Sequence, residues 1–227
     1  MVTTNPGAAD GGFNLNEAFA FVFRSPGWVS RLLIGALCTL GSFLLIPSWI
    51  LYGYMIQTSR AARSGERVLP AWDKVAANLV DGLLYNISIF LWSIPVALLI
   101  IVGIAISGCS NSGTGEAATT SCSNGAGLAL FGGLGILLGV VSIVIQPAIY
   151  AQFVAGGFSA SLNLGQVFTR AGRRIGLTLG MLLVGILASI VAMLGLIAIF
   201  IGLLITIPYA YFVLGHAYGQ YTRLTDP

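Results

Sequence analysis

Three stretches without a single Asp, Glu, Lys or Arg, residues 82–107, 127–157 and 175–221, restrict this chain more than any other feature. A helix crossing the hydrocarbon core of a bilayer needs about 20 predominantly apolar residues, and each stretch exceeds that length. Of the 227 residues, 57% are hydrophobic and 7% charged, against about 25% charged in an ordinary soluble domain. A surface so poor in charge has lipid as its solvent. The expected class is an all-α integral membrane protein. The net charge of +3 does not point to nucleic acid, because the basic residues sit at the edges of the apolar stretches and form no groove-shaped cluster. Residues 1–12 hold no basic residue and no apolar run, and read as a polar tail, not a cleaved signal peptide. Residues 13–227 read as a single helical membrane domain.

Internal similarity organises that domain. Asn14-Leu15-Asn16-Glu17-Ala18-Phe19 resembles Asn163-Leu164-Gly165-Gln166-Val167-Phe168. In each, the asparagine suits a helix N-cap, and the residue three positions later suits the return bond of a capping box. Leu15, Phe19, Val22 and Phe23 fall on one face of the first segment, and Leu164, Val167, Phe168 and Ala171 on one face of the second. Both segments end in arginine, Arg24 and Arg173, and suit amphipathic helices lying in the membrane interface. Further on, residues 32–40, LLIGALCTL, match residues 182–190, LLVGILASI. Ile46-Pro47 leads to Gln57 and Arg60 as Ile207-Pro208 leads to Gln220 and Arg223. A middle unit starts at Leu69-Pro70-Ala71-Trp72, with Trp72, Val75 and Leu79 expected on one helical face. The repeat units are therefore about 13–60, 69–156 and 163–223.

Charge sets the expected topology. If the segments pair as 31–44 with 46–60, 77–107 with 127–156, and 175–196 with 199–221, all ten basic residues lie on one side. That side is the cytoplasmic one, because Lys and Arg in short loops favour it. The expectation is about six membrane-embedded helical segments in three hairpins, each preceded by a cytoplasmic amphipathic helix. Both termini are then cytoplasmic, in the cell (inner) membrane. A tight turn is expected near Gly195–Gly202. Helices of about 14 residues reach only about 21 Å at 1.5 Å per residue, so the first hairpin needs re-entry, shielding by neighbours or a locally thinned bilayer.

Gly53-Tyr54, the basic segment Arg60–Arg67, Leu69-Pro70-Ala71-Trp72-Asp73, Asp81-Gly82 and Tyr218-Gly219-Gln220 together resemble domain-of-unknown-function family 4013, prokaryotic polytopic membrane proteins. The resemblance runs from about Leu32 to Arg223. It implies a helical membrane protein and supplies no activity and no catalytic residues. The long cysteine-containing loop departs from the family's pattern.

Cys109 and Cys122 flank a polar loop rich in Gly, Ser and Thr, placed outside the cytoplasm, where a disulfide is permitted. The alternatives are two unpaired thiols or, with only two sulfur ligands and no nearby His, a metal site. Cys38, inside an apolar run, reads as a packing residue. His216, the only histidine, suits a lone ligand to a pigment or metal, a proton relay, or a hydrogen-bonded partner of backbone, water or Asp81. Asp81 suits either cation coupling or an ion pair with Arg or Lys at the membrane rim. Gln57 and Gln220 complete the polar set. Gly135/Gly139 and Gly176/Gly180 each form Gly-x-x-x-Gly, a spacing that lets helices approach closely. Trp28, Trp72, Tyr218 and Tyr221 suit an inner aromatic belt, and Trp49 and Tyr209 the opposite interface.

No motif joins an acid, base, nucleophile or metal set, so no catalysis, metal or cofactor is expected. The leading expectation is a non-catalytic scaffold or accessory subunit whose partners are the lipid bilayer and other integral membrane subunits. The alternative is a small transporter or channel for a neutral or lipid-like solute. Repeats and prolines within hydrophobic segments (Pro47, Pro95, Pro147, Pro208) support that alternative.

Overall fold

The computed structural model describes residues 13–112, 119–195 and 201–226. The polar tail and the middle of the turn expected near Gly195–Gly202 lie outside the described residues. Eight α-helices are described: α1 Leu15–Arg24, α2 Trp28–Leu40, α3 Ile46–Arg63, α4 Val75–Ser107, α5 Gly125–Ser161, α6 Leu164–Arg173, α7 Ile175–Leu194 and α8 Ile201–Thr225. A two-stranded antiparallel ribbon, β1 Cys109–Ser112 and β2 Thr119–Cys122, separates α4 from α5. Helices α2, α3, α4, α5, α7 and α8 cover most of the described residues in the six segments expected from the sequence. Among the described residues α4, α5 and α7 are long and apolar enough to cross a membrane.

Local chemistry explains most boundaries. Asn14 and Asn163 cap α1 and α6 as the sequence implies, each side-chain oxygen accepting from the amide three residues on, at 3.0 and 3.1 Å. The return bond of the capping box is replaced in α1. The Asn14 amide donates to Gln220 Oε1 at 2.8 Å, and Glu17 instead pairs with Arg67. Between α2 and α3 a 3-10 turn, Ser42–Leu44, leads into Leu45, which takes φ 64°, a sparsely populated region for a branched side chain. Pro47 lies in the first turn of α3, where its missing amide costs nothing. Pro95, Pro147 and Pro208 lie inside α4, α5 and α8 without ending them. The break in α5 falls at Gly157, with φ 75° and ψ −162°, a combination open to glycine because it lacks a Cβ.

The chain divides into two compact units, residues 1–88 with 147–227, and residues 89–146. In the first, α8 is the helix against which α1, α2, α3 and α7 all pack. The buried core includes Phe21, Tyr54, Leu69, Met181, Val184, Phe212, Val213 and Tyr221. α3 and α8 run side by side in the same direction, with Gly215 beside Met55 and Thr58 and Gly219 beside Ser59 and Ala62. A Cβ at Gly219 would fall 2.5 Å from the Ser59 carbonyl oxygen. α4 approaches α3 closer still: a Cβ at Gly53 would meet the Asn78 carbonyl oxygen at 1.7 Å, and one at Gly82 that of Trp49 at 1.8 Å. In the second unit, Gly103 and Gly135 pack on Phe131 and Ile100, and large apolar side chains such as Phe90, Ile101, Ile136 and Leu137 are exposed.

Gly139, Gly176 and Gly180 have no neighbour within 4 Å of an added Cβ, and close backbone approaches within the larger unit include those at Gly53, Gly82, Gly215 and Gly219. α1 buries Ala18, Phe21 and Val22, while Leu15 and Phe23 are exposed. It runs back along α8, with Asn14 at Gln220, Phe21 on His216 and Phe23 against Tyr209. In α6 likewise, Val167, Arg170 and Ala171 are buried while Leu164 and Phe168 face outward. The helix expected to start at Leu69-Pro70-Ala71-Trp72 is corrected: residues 66–74 are non-helical, and the Trp72 ring in the turn before α4 stacks on Tyr54 at 3.9 Å. Tyr221 is fully buried and Tyr218 packs on Tyr150, and Tyr209 donates to the Phe19 carbonyl of α1 at 2.9 Å.

The glycine contacts predict an asymmetric response to a single added methyl. Gly82→Ala should lower the thermal unfolding midpoint in detergent, at a cost of about 1–3 kcal/mol or more from overpacking. Gly180→Ala should leave the midpoint unchanged. Size-exclusion-detected melting of the two variants beside wild type checks both.

Candidate functional site

Because α3 and α8 are parallel and close, their C-terminal ends deliver polar side chains to one place. Arg60 and Arg63 occupy the last turn of α3 and Arg223 that of α8, where cations are favoured by the helix dipole. Arg60 forms a two-pronged ion pair with Asp81 of α4, its second contact at 3.3 Å. Asp226 takes Arg63 on one oxygen at 2.8 Å and Arg170 on the other at 2.9 Å. Glu17 accepts from Arg67 at 3.1 Å. Arg60, Arg63 and Arg67 are substantially exposed, so these pairs contribute at most about 1 kcal/mol each and serve mainly to position the segments. Arg170 is different, with only 4% of its side chain exposed.

The sequence-derived polar residues fall into two groups. Gln57 and Asp81 share a cavity of about 350 Å³ with Arg60, Lys74 and Asn78, and Asn78 donates to Gln57 Oε1 at 3.1 Å. His216 and Gln220 line a separate cavity of about 50 Å³ with Glu17, Arg67 and Arg223. His216 does not meet Asp81. It is 3% exposed, stacks on Phe21 with ring centroids 4.3 Å apart, and shares a hydrogen bond of 3.1 Å with Gln220 Nε2. Gln220 also holds both the amide and the carbonyl of Asn14. One buried amide thus ties α8 to the start of α1. Among the described residues no three His, Cys, Asp or Glu side chains gather into a metal-binding group.

Buried hydroxyls form a second set that sequence reading passed over. Ser59 Oγ lies 2.9 Å from the Tyr150 hydroxyl and 2.8 Å from the Gly215 carbonyl oxygen, joining α3, α5 and α8. Ser88 pairs with Ser161 at 2.8 Å, and Thr178 with Tyr221 at 2.9 Å. A clue existed in the sequence: Ser59 lies one turn after Met55 in a helix rich in Tyr and Ser, where a hydroxyl bonds back to the carbonyl four residues earlier. Its reach to Tyr150, 91 positions away, is set by tertiary packing alone. Cys109 and Cys122 are direct partners in the ribbon register; their side chains lie outside the described residues. Cys38 is a free, half-buried thiol.

The fold is that of a predominantly helical, glycine-packed protein in which, among the described residues, three helices are long and apolar enough to cross a membrane and one end carries ion pairs. The chain belongs to the family described as "Protein of unknown function (DUF4013)", whose model matches residues 36–213. No curated protein and no solved structure matches the chain.

Gln220→Leu should release α1. The Asn14 amide and the buried His216 would each lose a partner, costing about 2 kcal/mol, most of it from the unpaired buried imidazole. Limited proteolysis should then cut between α1 and α2 faster than in wild type, and the unfolding midpoint should fall.

Proposed function

We propose that this chain is an integral protein of the cell membrane, with six embedded helical segments in three hairpins and both termini in the cytoplasm. In this reading it is a non-catalytic scaffold or accessory subunit that packs against other membrane proteins. The observation that carries the reading is uncovered apolar surface. In the most apolar windows of α4, α5 and α7, only 6%, 12% and 22% of the residues are buried by the chain itself. Surface of that kind needs lipid or another apolar helix against it. Two features favour protein over lipid for part of it. Gly139, Gly176 and Gly180 offer bare backbone to open space, which suits close helix–helix approach. α2 has 13 residues, reaching about 20 Å, short of a hydrocarbon core of about 30 Å. Its outward Leu33, Leu37 and Leu40 and the following Phe43 are exposed and would be shielded best by a neighbouring subunit.

Transport of a neutral or lipid-like solute is the second reading, supported by prolines inside α4, α5 and α8. It is the weaker one, because Asp81 is held by Arg60 and is therefore poorly placed to couple a cation.

The opposed backbones of Cys109 and Cys122 support a disulfide closing the ribbon, since directly paired strand residues fall within the Cα separation of about 4.4–6.8 Å that disulfides span. Two outcomes are expected. Purified from its own membranes in mild detergent, the chain should have a mass above that of a monomer and carry a reproducible membrane partner; a lone monomer under all detergents would refute the scaffold role. Alkylation without reductant should modify Cys38 at most, and modification of Cys109 and Cys122 should require reduction.

A further inference from the structure

We infer that the chain binds a phosphate anion in the cavity beside α6. This cavity, of about 310 Å³, is lined by Gln152 of α5, Gly165, Gln166, Thr169, Arg170 and Arg173 of α6, and Thr225 of α8. Residues 166, 169, 170 and 173 are spaced as one stripe along a helix, so α6 presents an amide, a hydroxyl and two guanidinium groups to the same space. Gly165 adds bare backbone in the first turn, at the positive end of the helix dipole.

The charge balance at this place is unmet. Arg170 is almost wholly buried, and its one anionic partner, Asp226, is shared with Arg63. Its Nη1 reaches only the Thr225 hydroxyl, at 3.4 Å, and its Nε has no partner. One carboxylate therefore faces two guanidinium groups. Arg173, exposed on the same stripe, adds a further positive charge and has no ion pair among the described residues. A buried arginine so incompletely neutralised favours an external anion.

The other asparagine-capped helix shows what is missing. Three positions after its cap α1 carries Glu17, which neutralises Arg67; α6 carries Gln166 at that place, and Phe21 of α1 stands where α6 has Arg170. α1 supplies its own carboxylate, and α6 leaves the place for one from outside. The anion that matches planar guanidinium forks together with amide and hydroxyl donors is a phosphate group. It comes either from an anionic phospholipid headgroup or from a free phosphate or phosphate monoester.

The test titrates the purified full-length chain in a non-ionic detergent with phosphatidylglycerol, glycerol phosphate, inorganic phosphate and, as an uncharged control, diacylglycerol, reading the unfolding midpoint. Saturable stabilisation by at least one phosphate probe and none by diacylglycerol is expected. Phosphatidylglycerol alone identifies a lipid headgroup, and equal action of the soluble phosphates identifies a free anion; either supports the site. Arg173→Gln and Gln166→Glu, both at exposed positions, should weaken binding about tenfold, as loss or repulsion at a charged hydrogen bond implies, while Arg173→Lys retains most of it. Size-exclusion profiles like that of wild type show that the variants are folded. No saturable binding of any phosphate probe, or undiminished binding by folded Arg173→Gln and Gln166→Glu, overturns the inference.

Discussion

The rest of the larger unit depends on how closely α3 and α8 approach. At Gly215 and Gly219 there is no room for a side chain between the two helices, and only glycine lets backbone meet backbone at such separations. The approach brings the Ser59 hydroxyl onto the Gly215 carbonyl and sets the helices in parallel. Their C-terminal ends then lie together. That juxtaposition gathers Arg60 and Arg63 from one helix with Gln220 and Arg223 from the other and Asp226 just beyond it. Helix–helix association without a hydrophobic driving force relies on this combination of small residues and short interhelical hydrogen bonds.

From that end the chain's remaining amphipathic pieces are tied in. Gln220 grips the cap of α1, Asp226 grips α6, and Asp81 of α4 grips α3. Individually these contacts are weak because most are half exposed. Their common effect is to fix where the amino-terminal and carboxy-terminal segments sit, which is beside each other. Leucine, isoleucine and valine side chains of α2, α4, α5 and α7 are exposed.

Much of this was legible in the sequence, and the failures have physical causes. The helices were readable because charge-free runs and asparagine caps are local signals, and both caps form as expected. Asp81 as an ion-pair partner was readable because few cations lie near it. Periodicity marks the apolar stripes of α1 and α6 without saying which of their residues the core covers: Val22 and Val167 are buried, whereas Leu15, Phe23, Leu164 and Phe168 are exposed. The Gly215–Gly219 pair was overlooked because His216 and Tyr218 between them make the segment look polar. Of the four glycines in the more apolar pairs, Gly139, Gly176 and Gly180 face open space, and their spacing does not say whether the packing partner is internal. The Ser59–Tyr150 bond and the sharing of Asp226 by Arg63 and Arg170 join residues far apart in the chain, and no local pattern announces such pairs.

Asn14 and Gln220 meet at the polar end of the larger unit, and we propose that this end faces the cytoplasm. Reporter tags at the amino and carboxyl termini of the full-length chain, scored in intact cells by accessibility to an impermeant reagent and by a reporter active on one side only, test it directly. The account predicts that both tags are cytoplasmic. Tags on opposite sides of the membrane would contradict it.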